Sequence, residues 1–276
     1  MSYLRARNYP LHYEGSGNWR LPGFGGVVVQ GNHFYWFAIG KGGNAVDFAT
    51  MVWGLSFEEA ITELLGQPGQ HQSLEPIHQP HADHEFRLPE RAPDNRRVAA
   101  YLTKTRGLPS SFVGWLFAKG LLFQDGKGNC VFPCYDQAGR PRGAFLRGTA
   151  SNFKGMAPGS NGRYPWHYPP ETQGRLVVAC ESPIDALSLV SLKPYLQDHH
   201  LVSLNGLRWE ALATFLGEWQ KIKTVILAFD GDKPGQTAAE EFGVRLKAMQ
   251  YKVALLLPPA GVKDWNAALL LSRQER

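Results

Sequence analysis

Five carboxylates carry the chemistry of this sequence. Glu181 is followed one helical turn later by Asp185, Asp230 and Asp232 flank Gly231, and Asp264 stands near the end. Clustered carboxylates repel and raise one another's pKa, so acids gathered at one point call for a cation. Crowded hard oxygen ligands suit Mg2+ or Mn2+, with positions left open for water and phosphate oxygens. Such ions neutralise phosphate charge and place an attacking oxygen. Taken singly, each acid also has a structural reading, because strand-end acids cap helices and Asp-Gly makes turns.

The elements that must position these acids alternate. Strands are expected at Arg175–Cys180, Leu201–Leu204, Thr224–Phe229 and Lys252–Leu257. Helices are expected at Ile184–Ser191, Trp209–Trp219, Gly235–Met249 and Trp265–Leu271. Alternation of this kind predicts an α/β fold with a parallel sheet flanked by helices. Ligands gather beyond the carboxyl ends of such strands. Glu181 and Asp230 directly follow strands, and Asp264 follows the last one after a short loop. Gly231 allows a tight backbone between the two aspartates, and Gly235 frees the start of a helix whose N-terminus favours an anion.

Upstream, two further segments read as α+β. In residues 1–67 an aromatic strand (Asn32–Ile39) leads through a Gly-rich turn to Asn44, a cap for a helix running to Gly54. Ser56 and Glu59 form a capping-box pattern for a second helix. Residues 68–95 are rich in Pro, His and charge and read as a linker. His78, His81 and His84 recur there, but Pro76 and Pro80 oppose the helix that would turn them into a metal site. Residues 96–170 carry two short helices, Arg97–Lys104 and Ser110–Lys119. A β-meander follows over Leu121–Gln124, Asn129–Tyr135 and Arg142–Arg147. Cys130 and Cys134 lack companion ligands and read as core rather than zinc.

The chain has 276 residues, 43% of them apolar, and a formal net charge of +5. That balance suits a polyanionic partner. Three cysteines without a secretory signal imply reduced thiols and a cytoplasmic location. No apolar run is long enough to span a bilayer, so no membrane role is expected.

At the motif level the chain resembles Toprim proteins of the bacterial replicative primase type. Val177 to Leu187 resembles the first Toprim motif, a hydrophobic strand, Glu181, then Asp185. Ala228 to Gly235 resembles the second, with Asp230 and Asp232. Ser203 to Leu207 occupies the place of the Gly-containing turn between them. Lys263-Asp264-Trp265-Asn266 resembles the terminal acidic motif, whose second acid is here Asn266, which implies a weakened metal position. Tyr9 to His12 and Phe34 to Phe48 resemble the two halves of the primase zinc ribbon. Its cysteine positions are taken by Tyr9, Trp36 and Ile39, leaving His12 as the one ligand type. The resemblance therefore implies a zinc-free module held by aromatic packing. The middle segment resembles a domain of unknown function that precedes Toprim in mobile-element proteins. Gly143 to Gly148 there is similar to the Gly-Arg strand of the primase core.

The resemblance implies four parts: a degenerate zinc-ribbon-like domain (1–67), a linker (68–95), a basic α+β domain of primase-core type (96–170) and a Toprim domain (171–276). It implies metal-dependent nucleotidyl transfer, primer synthesis for a plasmid or mobile element, with Mg2+ or Mn2+ held by Glu181, Asp185, Asp230, Asp232 and Asp264. Glu181, Asp230 and Asp232 would be catalytic. Arg147, Lys154, Lys233 and Lys263 would face nucleotide or template phosphates. The partners implied are single-stranded DNA, nucleoside triphosphates and a separate helicase. A Toprim nuclease and a non-catalytic single-strand-binding accessory are the alternative readings; no Gly-x-x-x-x-Gly-Lys-Ser/Thr loop supports an ATPase-coupled nuclease.

Overall fold

A computed structural model describes residues 4, 9–15, 17–24, 26–37, 41–64, 86–170 and 174–274. His78, His81, His84 and Ile39 lie outside them. The chain divides into two compact units, one of residues 1–85 with 158–160, the other of 86–157 with 161–276.

The first unit is an antiparallel meander of five strands: β1 (His12–Gly15), β2 (Asn18–Leu21), β3 (Val27–Gln30), β4 (His33–Trp36) and β5 (Lys41–Gly43). Helices α1 (Ala45–Val52) and α2 (Phe57–Leu64) follow. The expected Asn44 cap and Ser56 capping box both form, and Asn44 proves to be a capping box as well. Asn44 Oδ1 accepts from Val46 N and Asp47 N while Asp47 returns a bond to Asn44 N. Ser56 and Glu59 do the same. Leu21, Val27, Val29 and Phe34 of the sheet bury against Phe48, Val52 and Trp53. Tyr9 stacks on Trp53 with ring centroids 5.8 Å apart.

The second unit holds two sheets. A smaller antiparallel one runs β6 (Phe123–Gln124), β7 (Cys130–Tyr135), β8 (Pro141–Arg147) and β9 (Lys154–Met156). Ahead of it lie α3 (Arg96–Ala100), one π-helical turn (Tyr101–Thr105) and α4 (Ser110–Ala118). The larger sheet has the order β10-β12-β11-β13-β14, formed by β10 (Trp166–Tyr168), β11 (Leu176–Cys180), β12 (His200–Ser203), β13 (Thr224–Leu227) and β14 (Lys252–Leu255). Its helices are α5 (Pro183–Leu192), α6 (Trp209–Glu218), α7 (Lys233–Ala248) and α8 (Trp265–Gln274).

The expected parallel sheet is present, with one correction. β11 to β14 are mutually parallel, but β10 joins β12 antiparallel. Trp166, buried and bonded through Nε1 to the Leu121 carbonyl, ties that strand to the α4–β6 connection. β11 is buried on both faces, as a central parallel strand requires. Val178 and Cys180 join the core with α4, α5, β7 and α8, whereas Val177 and Ala179 join that of α6 and α7. One continuous core thus runs from Val98 to Leu269, across the sequence division at 170. The linker reading also needs correction at its end: Phe86 packs with Phe123, Val131 and Leu146, and Ala92 N donates to Gln124 O.

Candidate metal and phosphate site

Register brings the acids to one sheet edge. Ala179 pairs with Leu227 across β11 and β13, so the chain leaves the sheet at Glu181 and Asp230 side by side. The Asp264 loop is drawn to the same edge by two hydrogen bonds. Trp265, buried, donates its Nε1 proton to the Ala228 carbonyl at 3.0 Å. Gly231 N donates to Lys263 O at 2.8 Å. A side chain at Gly231 would crowd the Val262 carbonyl, and one at Gly235 would collide with the Asp230 carbonyl.

Three of the five acids have structural work. Asp232 caps α7 by accepting from Gly235 N at 3.0 Å. Asp264 caps α8 by accepting from Ala267 N at 2.7 Å. Asp185, 8% exposed, accepts from Ser182 Oγ and from Asn266 N. The remaining two do not. Among the described residues no hydrogen bond reaches the Glu181 carboxylate, and Asp230 Oδ1 is buried without a partner. An orphaned buried carboxylate oxygen is costly and rare, and a bound ion is one of its ordinary partners.

The electrostatics agree. Burial, then the charges of Asp185, Glu181, Asp264 and Asp232, push the Asp230 carboxyl up to about 8. Burial is also the main cause lifting Asp185 to about 6, with Asp264 and Glu181 adding to it. Glu181 is raised by burial, held back by Lys154 and Lys263, and raised again by Asp232 and Asp264. All five acids therefore share one field, with two lysines at its rim. Among the described residues no three of them already meet as a closed ligand set. A set of acids without a counter-charge relieves its repulsion by spreading. The orphaned Asp230 oxygen and the hard-oxygen donor set fit a divalent cation such as Mg2+ or Mn2+.

Of the basic residues singled out in the sequence, Lys154 and Lys263 flank Glu181. Arg147 donates from Nε to the Tyr101 phenol at 3.1 Å. Lys233 is exposed at the first turn of α7, and no contact joins it to the acids. One group, Arg106, escaped the sequence reading, and another, Asn205, was read only as part of a turn. Arg106 shares the Tyr101 phenol with Arg147. Its signal is an Arg before a turn glycine, Gly107, at φ +68°. Asn205, buried at φ +54°, shapes the turn that grips Glu181 from behind: Gly206 N and Ser203 Oγ both donate to the Glu181 carbonyl.

Comparison with known proteins agrees with this picture. Residues 178–269 match the Toprim-like family, and residues 100–169 match a protein family of unknown function, DUF3991. The chain thus carries a Toprim-like domain preceded by a DUF3991 segment. It is 28% identical over 269 residues to a 65 kDa protein of Zymomonas mobilis, covering 90% of this chain and 45% of that protein. An uncharacterized protein of Bacillus anthracis is 25% identical over 258 residues, covering 87% of this chain and 75% of the relative. The structure is similar to the primase fragment of the bacteriophage T7 primase-helicase protein. The TM-score is 0.52 and the identity 19%, over 97% of this chain and 95% of that fragment. This chain has the fold of that fragment; at such identity the likeness is one of fold alone.

Proposed function

We propose that this protein is a metal-dependent nucleotidyl transferase of primase type, acting on single-stranded DNA with nucleoside triphosphates. The observation that carries this reading is the pair of carboxylates without structural work, Glu181 and Asp230, at the carboxyl edge of the Toprim sheet. Asp230 and Glu181 would hold Mg2+ or Mn2+, assisted by Asp185 and by the second oxygens of Asp232 and Asp264. When bound, such ions supply charge neutralisation for phosphates and a lowered pKa for a coordinated hydroxyl.

The chain's own residues do the rest. Glu181, raised by burial and held between acids and lysines, is suited to take a proton from a primer hydroxyl. Lys154 and Lys263 at the rim, with Arg147 and Arg106 beyond, would hold triphosphate or template phosphate oxygens. Among the described residues no helix is long and apolar enough to cross a membrane. The T7 fragment comes from a primase-helicase protein. Here a helicase would be a separate partner.

The test is primer synthesis on single-stranded DNA with labelled nucleotides. The expected result is metal-dependent product, reduced by about three orders of magnitude or more in Asp230→Ala. No product from the wild-type chain, or equal product from the variant, sinks the reading. Metal-dependent cleavage in its place would assign the same acids to a nuclease.

A further inference from the structure

One side chain joins the acids to the arginines of the preceding segment. Asn266, 4% exposed, lies in the first turn of α8. Its backbone N donates to Asp185 Oδ1 at 3.3 Å. Its Nδ2 donates to the Arg106 carbonyl at 2.8 Å and to Ser188 Oγ at 3.0 Å, and its Oδ1 accepts from Arg106 Nη1 at 3.1 Å. Arg106 Nε in turn donates to the Tyr101 phenol at 2.8 Å, which also accepts from Arg147 Nε. The run is Asp185, Asn266, Arg106, Tyr101, Arg147.

Two features of this run point to a ligand. Among the described residues neither guanidinium has a carboxylate within ion-pairing distance; every anchor is a neutral amide, phenol or carbonyl. Both cations lie close enough to act on the buried Cys130 thiol. Second, the backbone is shaped to hold Arg106 there. The π-helical turn Tyr101–Thr105 leads into it, and Gly107 after it sits against Leu270 of α8, where a Cβ would come within 3.0 Å of Leu270 Cδ2. π-Turns are frequent at functional sites.

We infer that Asn266 is a positioning residue that presents Arg106, and through Tyr101 also Arg147, with undiminished charge to phosphate oxygens of a single-stranded nucleic acid at the acidic edge. The ligand class rests on the proposed function above. The amide is required for two reasons. A carboxylate at 266 cannot donate to the Arg106 carbonyl or to Ser188. It would also pair with the Arg106 guanidinium and take its charge from the ligand. Residue 266 is therefore turned toward Arg106 rather than serving as a depleted ion ligand.

The experiment is anisotropy of a labelled oligothymidylate with the full chain in EDTA, over a range of salt. It involves no metal and no bond-making, so its result stands apart from whether primer synthesis occurs. Asn266→Asp should bind about tenfold more weakly, with a log affinity against log salt slope shallower by about one. Arg106→Gln should do the same, and the double variant should bind no more weakly than Arg106→Gln alone. A purely structural Asn266 would instead give losses that multiply. Wild-type affinity in Asn266→Asp, multiplying losses, or no binding by the wild-type chain in EDTA would overturn the inference. If Asn266→Asp does not fold, Arg106→Gln decides: unchanged affinity overturns it, and the stated loss supports it.

Discussion

The two ends of the larger sheet bury polar side chains in opposite ways. At the amino end of β12, His200 stacks on His167, and His167 Nε2 lies 3.0 Å from His200 Nδ1. Phe215 and Trp219 wall the rings. At the carboxyl end, Asp230 Oδ1 has no partner and five acids share a field without a closed ligand set. The same sheet thus pairs the His167 and His200 rings with each other, leaving only the neighbouring His199 Nδ1 open there among the described residues, and gathers unpaired carboxylate charge at its other end. A buried carboxylate oxygen left open within a field of four other acids is where a cation belongs.

The largest effect that would break this contrast is the response to metal and pH. The folded-state carboxyl of Asp230 is raised to about 8, and that of Asp185 to about 6, above the ordinary 3.8. The folded protein therefore binds more protons than the unfolded chain between those values. Stability is fully present below the ordinary value and falls as pH rises toward about 8. In EDTA the melting temperature should drop over that range. Saturating Mn2+ should restore it, by about 5 °C at the alkaline end and less near pH 6. Asp230→Asn should flatten the EDTA profile. An identical metal response in that variant would remove the distinction between the two ends.

The imidazole end should show the opposite slope with a smaller effect. His167 is depressed by burial, then by His200, from 6.5 to about 3. The folded ring stays neutral while the unfolded ring takes a proton, so its contribution is complete above 6.5 and is lost as pH falls toward 3. Denaturation at pH 5 should show about 1–2 kcal/mol of this loss, reduced in His167→Phe. Divalent ions should leave this limb unchanged. Sensitivity of it to Mn2+ would mean that the histidines, too, form a ligand site.

Much of this was readable in the sequence, and the rest had physical reasons to be hidden. The acids stand out because chemistry at a parallel sheet collects at strand ends, and Glu181 and Asp230 end adjacent strands. The Asn44 cap of α1 and the capping box of α2 are local and appeared where expected. The N-terminal strands β1 to β3 were not foreseen, nor was β5, whose Lys41–Gly43 was expected to be part of a Gly-rich turn, because short strands in a Gly-punctuated segment carry little periodicity. β10 escaped because its place depends on a long-range antiparallel pairing with β12. Arg106 escaped for the same reason: its partners Tyr101, Asn266 and Arg147 are assembled only by folding. In the first unit Tyr9 stacks on Trp53, a contact between distant positions that only folding assembles.

The most direct measurement is anomalous diffraction from crystals of the full chain soaked in Mn2+. The account predicts a manganese peak within bonding distance of Asp230 Oδ1 and a Glu181 oxygen. Manganese found only at exposed acids elsewhere, with Asp230 Oδ1 still alone, would contradict it.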